Sequence, residues 1–213
     1  MHKKRKTAFT LAEVLITLAI IGIIAAMVIP SLLNNINNMQ YVTALKKIYS
    51  SLSQATQRIV NEEGGTMEGL CDSNSCMKDL FLEYMIGVKS CEITSTNGCW
   101  HKSKKWFSFS GSPVYSTEES MSVLVGNDGS LIEFMNVAKN CNSKIESLTV
   151  PVACARMRVD VNGYKSPNTV GKDIFDFYLL KNRVVPRGGE NDAASCPDWG
   201  CAAKVLTEGA INY

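Results

Sequence analysis

The stretch Phe9-Thr10-Leu11-Ala12-Glu13-Val14-Leu15-Ile16-Thr17-Leu18-Ala19-Ile20-Ile21-Gly22-Ile23-Ile24-Ala25-Ala26-Met27-Val28-Ile29-Pro30 decides how the rest of the chain is read. From Val14 to Leu33 only Thr17 and Ser31 are polar, and each hydroxyl can bond back to a helix carbonyl. At ~1.5 Å per residue such a helix crosses a hydrocarbon layer of ~30 Å. Lys3, Lys4, Arg5 and Lys6 precede it, which predicts that the N-terminal end stays in the cytoplasm and the remainder is exported. A secretory signal would have a shorter apolar core of about 7–15 residues and a cleavage site beyond it, whereas Ala25-Ala26-Met27 lies inside the run.

Glu13 does not suit a plain anchor. An ionised carboxylate at the centre of a bilayer costs roughly 2.5–3.5 kcal/mol on insertion scales. It must lie at headgroup level and stay wet, or face a cationic partner within an assembly.

Ala8-Phe9-Thr10-Leu11-Ala12-Glu13 before an apolar helix resembles the processing and methylation signature of type IV pilins and type II secretion pseudopilins. The resemblance implies cleavage between Ala8 and Phe9 by a prepilin peptidase, which also N-methylates Phe9. It implies that Glu13 of one subunit pairs with the Phe9 ammonium of a neighbour, and that Pro30 kinks the helix. Ala8 departs from the usual Gly but is still small. Ala12 replaces a larger apolar residue. The resemblance is confined to about the first thirty residues. It implies pilin-like subunits, membrane lipid and an inner-membrane assembly machinery as partners.

After Pro30 the apolar residues keep to one face: Ile36, Met39, Val42, Leu45, Ile48, Leu52, Ala55 and Ile59 are spaced by threes and fours. Asn34, Asn35, Asn37 and Asn38 weaken the helix, and Gly64-Gly65 ends it. This predicts a spine of some 50 residues, roughly 75–80 Å long. A striped helix needs a surface to cover. Met121–Gly126 and Ser130–Val137 read as a hairpin around Asn127-Asp128-Gly129. The segments 154–161 and 174–180 read as further strands, and 78–85 as a short helix. The fold class is α+β, a long N-terminal helix packed on an antiparallel sheet, as the resemblance also implies. Residues 1–8 form a leader, 9–33 a transmembrane and assembly helix, 34–63 its amphipathic continuation, and 64–213 an exported domain.

Eight cysteines (Cys71, Cys76, Cys91, Cys99, Cys141, Cys154, Cys196 and Cys201) all follow the apolar run. In an exported domain they read as disulfides, with 105 formal pairings. Sequence proximity favours 71–76, 91–99, 141–154 and 196–201. No pair has the two-residue gap of a zinc knuckle.

Only His2 and His101 are present, so a histidine-centred hydrolytic site has little to draw on. No glycine loop has phosphate-cradling spacing. His101, Lys102, Lys104, Lys105 and Trp106 form a basic-aromatic cluster, either a solvated loop or a contact for an anionic polymer such as DNA. Asp160, Asn162 and Asp173 flank Gly163 like the opening of a calcium loop, without its terminal Glu; an Asn-Gly turn capped by Asp160 is the simpler reading. No cofactor is required.

The formal charge is +2, from 22 basic and 20 acidic residues; removing the four leader cations leaves 18 basic and a net −2. This balance excludes a histone-like or disordered acidic chain. The expectation is a filament-forming structural subunit and not an enzyme. An uncleaved, signal-anchored surface domain that binds or adheres is the alternative, and a secreted hydrolase is the third reading.

Overall fold

The computed structural model describes residues 9–91, 99, 105–115, 122–143, 153–189, 192 and 194–213. The chain divides into two units, the first ending at Asn38 and the second running Met39–Tyr213.

The first unit is the N-terminal part of helix α1 (Leu11–Glu62), which contains Pro30 and continues through it. The asparagines at 34, 35, 37 and 38 do not interrupt the helix: their low propensity costs a few tenths of a kcal/mol each, too little to break a long helix. Its large apolar side chains, from Leu11 to Leu33, are exposed throughout.

In the second unit, α1 buries Val42, Leu45, Ile48, Leu52, Ala55, Thr56, Ile59 and Val60. The predicted stripe thus begins to pack only at Val42; Met39, at 70% exposure, shares its spacing but not its burial. Helix α2 (Asn74–Tyr84) starts earlier than its apolar residues suggest, because the Ser73 hydroxyl caps it by accepting from Cys76 N.

The described residues then form eight strands: β1 (Gly87–Cys91), β2 (Lys105–Phe107), β3 (Pro113–Tyr115), β4 (Ser122–Gly126), β5 (Leu131–Met135), β6 (Ala153–Asp160), β7 (Ile174–Leu180) and β8 (Val184–Pro186). Among the described residues, six form one antiparallel sheet in the order β1-β4-β5-β6-β7-β8, while β2 and β3 form a separate hairpin. Helix α3 (Cys201–Glu208) ends on Gly209, whose positive φ suits a left-handed cap.

Alternation decides which side chains meet. Ile132, Phe134, Met157, Val159, Phe175, Phe177 and Leu179 join the α1 stripe, with Phe81 of α2, in the principal core. Tyr49 stacks on Phe177 at 5.8 Å, and Phe81 meets Phe134 at 5.2 Å. A second cluster of Cys99, Trp106, Val123, Val125, Leu131, Val170 and Ile174 contains residues of the opposite strand parity. The sheet is therefore covered on both faces.

Candidate functional site

In the first unit, Thr10 stands just before α1 as its N-cap. Its Oγ1 accepts from Glu13 N at 3.2 Å and donates to Glu13 Oε2 at 2.8 Å, while Thr10 N also donates to Glu13 Oε2 at 2.8 Å. This reciprocal arrangement is a capping box, which satisfies orphan donors of the first helical turn. The Thr-x-x-Glu spacing that signals it is legible in the sequence as Thr10-Leu11-Ala12-Glu13. Glu13 Oε1 makes no hydrogen bond among the described residues. Phe9 precedes the cap and is 87% exposed. Ala8 and the leader lie outside the described residues.

Beyond the cap, the helix is long and apolar enough to cross a membrane, and none of its apolar window is buried. A helix hydrophobic on every side belongs in lipid or among other helices.

The second unit places the calcium candidates together in one loop. Asp160 Oδ1 accepts from Asn162 N at 3.1 Å and Gly163 N at 2.9 Å. Asp173 Oδ2 accepts from Asn168 N at 2.8 Å and Asn162 Nδ2 at 2.9 Å, and Oδ1 accepts from Thr169 N. Both carboxylates are buried. Burial pushes the Asp173 carboxyl up, and the N–H donors of Thr169, Asn168 and Asn162 only partly offset it. The carboxylates thus hold the loop's own N–H groups. Calcium takes about six to eight oxygens. Among the described residues no three His, Cys, Asp or Glu side chains converge as a metal group.

Sequence reasoning did not foresee an ionic cluster on the sheet. Register sets Glu133 of β5 opposite Arg158 of β6, and Arg158 opposite Asp176 of β7. Arg158 donates to Asp176 at 3.1 Å and to Glu133 at 3.4 Å; Arg156 and Arg187 also donate to Asp176. The Arg158 guanidinium is flanked by the rings of Trp106, at 4.2 Å, and Trp199, at 4.3 Å. Burial alone would raise the Asp176 carboxyl, but Arg158, followed by Arg156 and Arg187, holds it below the usual carboxylate range. Trp106 is buried here, which corrects its assignment to a solvated or nucleic-acid-facing loop. A ring enclosed by core side chains cannot stack on a base. His101, Lys102 and Lys104 lie outside the described residues, as does the side chain of Lys105.

Disulfides join Cys71 to Cys76, Cys141 to Cys154 and Cys196 to Cys201. Cys99 is disulfide-bonded as well, while the side chain of Cys91, and so the 91–99 pairing, lies outside the described part. A cleft of about 320 Å³ is lined by Lys47, Arg58, Tyr84, Ile86 and Asp128, among others; Lys47 is paired with Asp128 at 2.8 Å and no histidine contributes.

Residues 3–29 match the family described as the prokaryotic N-terminal methylation motif, the signature of type IV pilins and pseudopilins. No curated protein and no solved structure matches the chain.

Proposed function

We propose that this chain is a prepilin-like structural subunit, cleaved between Ala8 and Phe9, N-methylated on Phe9, and assembled through α1 into a type IV pilus or type II secretion pseudopilus. The observation that carries this reading is a methylation motif leading directly into an apolar helix segment that the chain leaves uncovered. Such a segment exposes far more apolar surface than a free-standing soluble domain tolerates, so lipid and then neighbouring helices are its natural surroundings. The motif is one of structural subunits, so the chain is a substrate of processing enzymes.

In the assembly, the Glu13 carboxylate of one subunit meets the Phe9 ammonium freed by cleavage in its neighbour. Each charge is costly in lipid alone, and pairing sets the register while apolar packing supplies adhesion. Before assembly the subunit rests in the inner membrane with its N-terminus cytoplasmic and its second unit exported. The disulfides suit that location.

Mass spectrometry of the mature N-terminus tests the reading. N-methyl-Phe9 supports it. An intact Met1-His2 start would establish an uncleaved signal anchor instead, and a start beyond Ala26 would establish a secreted protein.

A further inference from the structure

We propose that Thr10 is the positioning residue for Glu13: it ties down one carboxylate oxygen and leaves the other for a donor from outside the subunit. The proposal rests on the assembly reading above. A glutamate side chain at a membrane boundary has three rotatable bonds and will otherwise turn toward whatever water or headgroup is near. Here Oε2 is held at 2.8 Å by both the main-chain N–H and the hydroxyl of Thr10. Both are hydrogen bonds to an ionised acceptor, the stronger kind, and they offset part of the carboxylate's desolvation before any neighbour arrives. The Thr10 hydroxyl is anchored in turn by Glu13 N at 3.2 Å, so the box closes on itself.

Oε1 has no hydrogen-bond partner among the described residues. A preset carboxylate with one free oxygen loses little rotamer freedom when an ammonium docks, whereas a free side chain loses it at that moment. Thr10 thereby separates two tasks within one side chain, helix capping by one oxygen and intersubunit pairing by the other.

The test uses the full chain in its native assembly system, with Thr10→Val, Thr10→Ser and Glu13→Gln. Leader removal and Phe9 methylation are read by mass, filaments by shearing yield, and the cap by hydrogen exchange of Glu13 N–H in detergent micelles. Thr10→Val keeps the shape but deletes the hydroxyl. It is expected to be processed and methylated normally, to exchange about ten-fold faster at Glu13 N–H, and to give about ten-fold fewer filaments. Thr10→Ser restores both readouts. Wild-type filament yield from Thr10→Val, failure of Thr10→Ser to rescue, or loss of processing in Thr10→Val would each overturn the proposal. Wild-type filaments from Glu13→Gln would sink the assembly reading itself. Wild-type filaments from Thr10→Val beside defective Glu13→Gln would sink the proposal alone.

Discussion

Arg158 of β6 and Asp176 of β7 face each other in register and are joined by a 3.1 Å hydrogen bond, with the carboxylate fully buried. The pair lies in the middle of the sheet, where strand alternation would ordinarily place a solvent-facing charge. Two indoles enclose the guanidinium, so its water has been replaced by aromatic faces and carboxylates.

Asp176→Asn is expected to lower the unfolding free energy of the second unit by about 3–5 kcal/mol at neutral pH, because it removes the buried carboxylate charge that Arg156, Arg158 and Arg187 share. Urea denaturation of the full chain in detergent, followed by circular dichroism, measures it. The folded Asp176 carboxyl lies below its unfolded value. Its stabilisation is therefore present above the unfolded pKa, about 3.9 for Asp, and is lost as pH falls through the folded value. The difference between wild type and variant should hold steady from neutral to mildly acidic pH and shrink only in strong acid.

Positive backbone φ and lack of room coincide at Gly163 and Gly188. A Cβ on Gly163 would lie 2.0 Å from Gly129 O, and one on Gly188 would lie 1.8 Å from Gly200 O. Gly111 has a similar φ of +86° and open space. Gly163→Ala and Gly188→Ala are expected to cost about 3 kcal/mol or more, against about 1 kcal/mol for Gly111→Ala. Equal thermal melts for the three variants would contradict the close approaches.

The disulfide loops differ in span, with a sequence separation of 13 for Cys141–Cys154 and 5 for Cys71–Cys76 and Cys196–Cys201. By chain entropy the longer loop contributes about 3 kcal/mol and each shorter one about 2 kcal/mol. Paired Cys→Ala replacements, made one bridge at a time, should rank in that order on denaturation. A larger loss from Cys71–Cys76 than from Cys141–Cys154 would show that loop closure is not the governing effect.

Calcium is expected to leave the melting temperature unchanged relative to chelator, since Asp160 and Asp173 already hold the N–H groups of residues 162, 163, 168 and 169. A saturable rise in melting temperature with calcium, lost in Asp173→Asn, would show that the loop reorganises around the ion.

The spine and the strands β4 to β7 were legible because their signals are local and periodic. Apolar residues recur by threes and fours along α1, and polar and apolar residues alternate through Arg156-Met157-Arg158-Val159. Strands β2, β3 and β8, of three residues each, are too short to display a period. Helix α3 has no side-chain cap to announce it. The burial of Arg158 was not legible at all. Its alternation reads as a wet face, and what covers it comes from Trp106 and Trp199, far away in sequence.

Of the three tryptophans, two touch the same buried guanidinium, and the third, Trp100, lies outside the described residues. Indole emission is sensitive to a nearby positive charge and to water, so the chain carries an internal optical gauge. With Trp100 replaced by Phe, a red shift of its fluorescence would report the opening of this one cluster, without any attached dye.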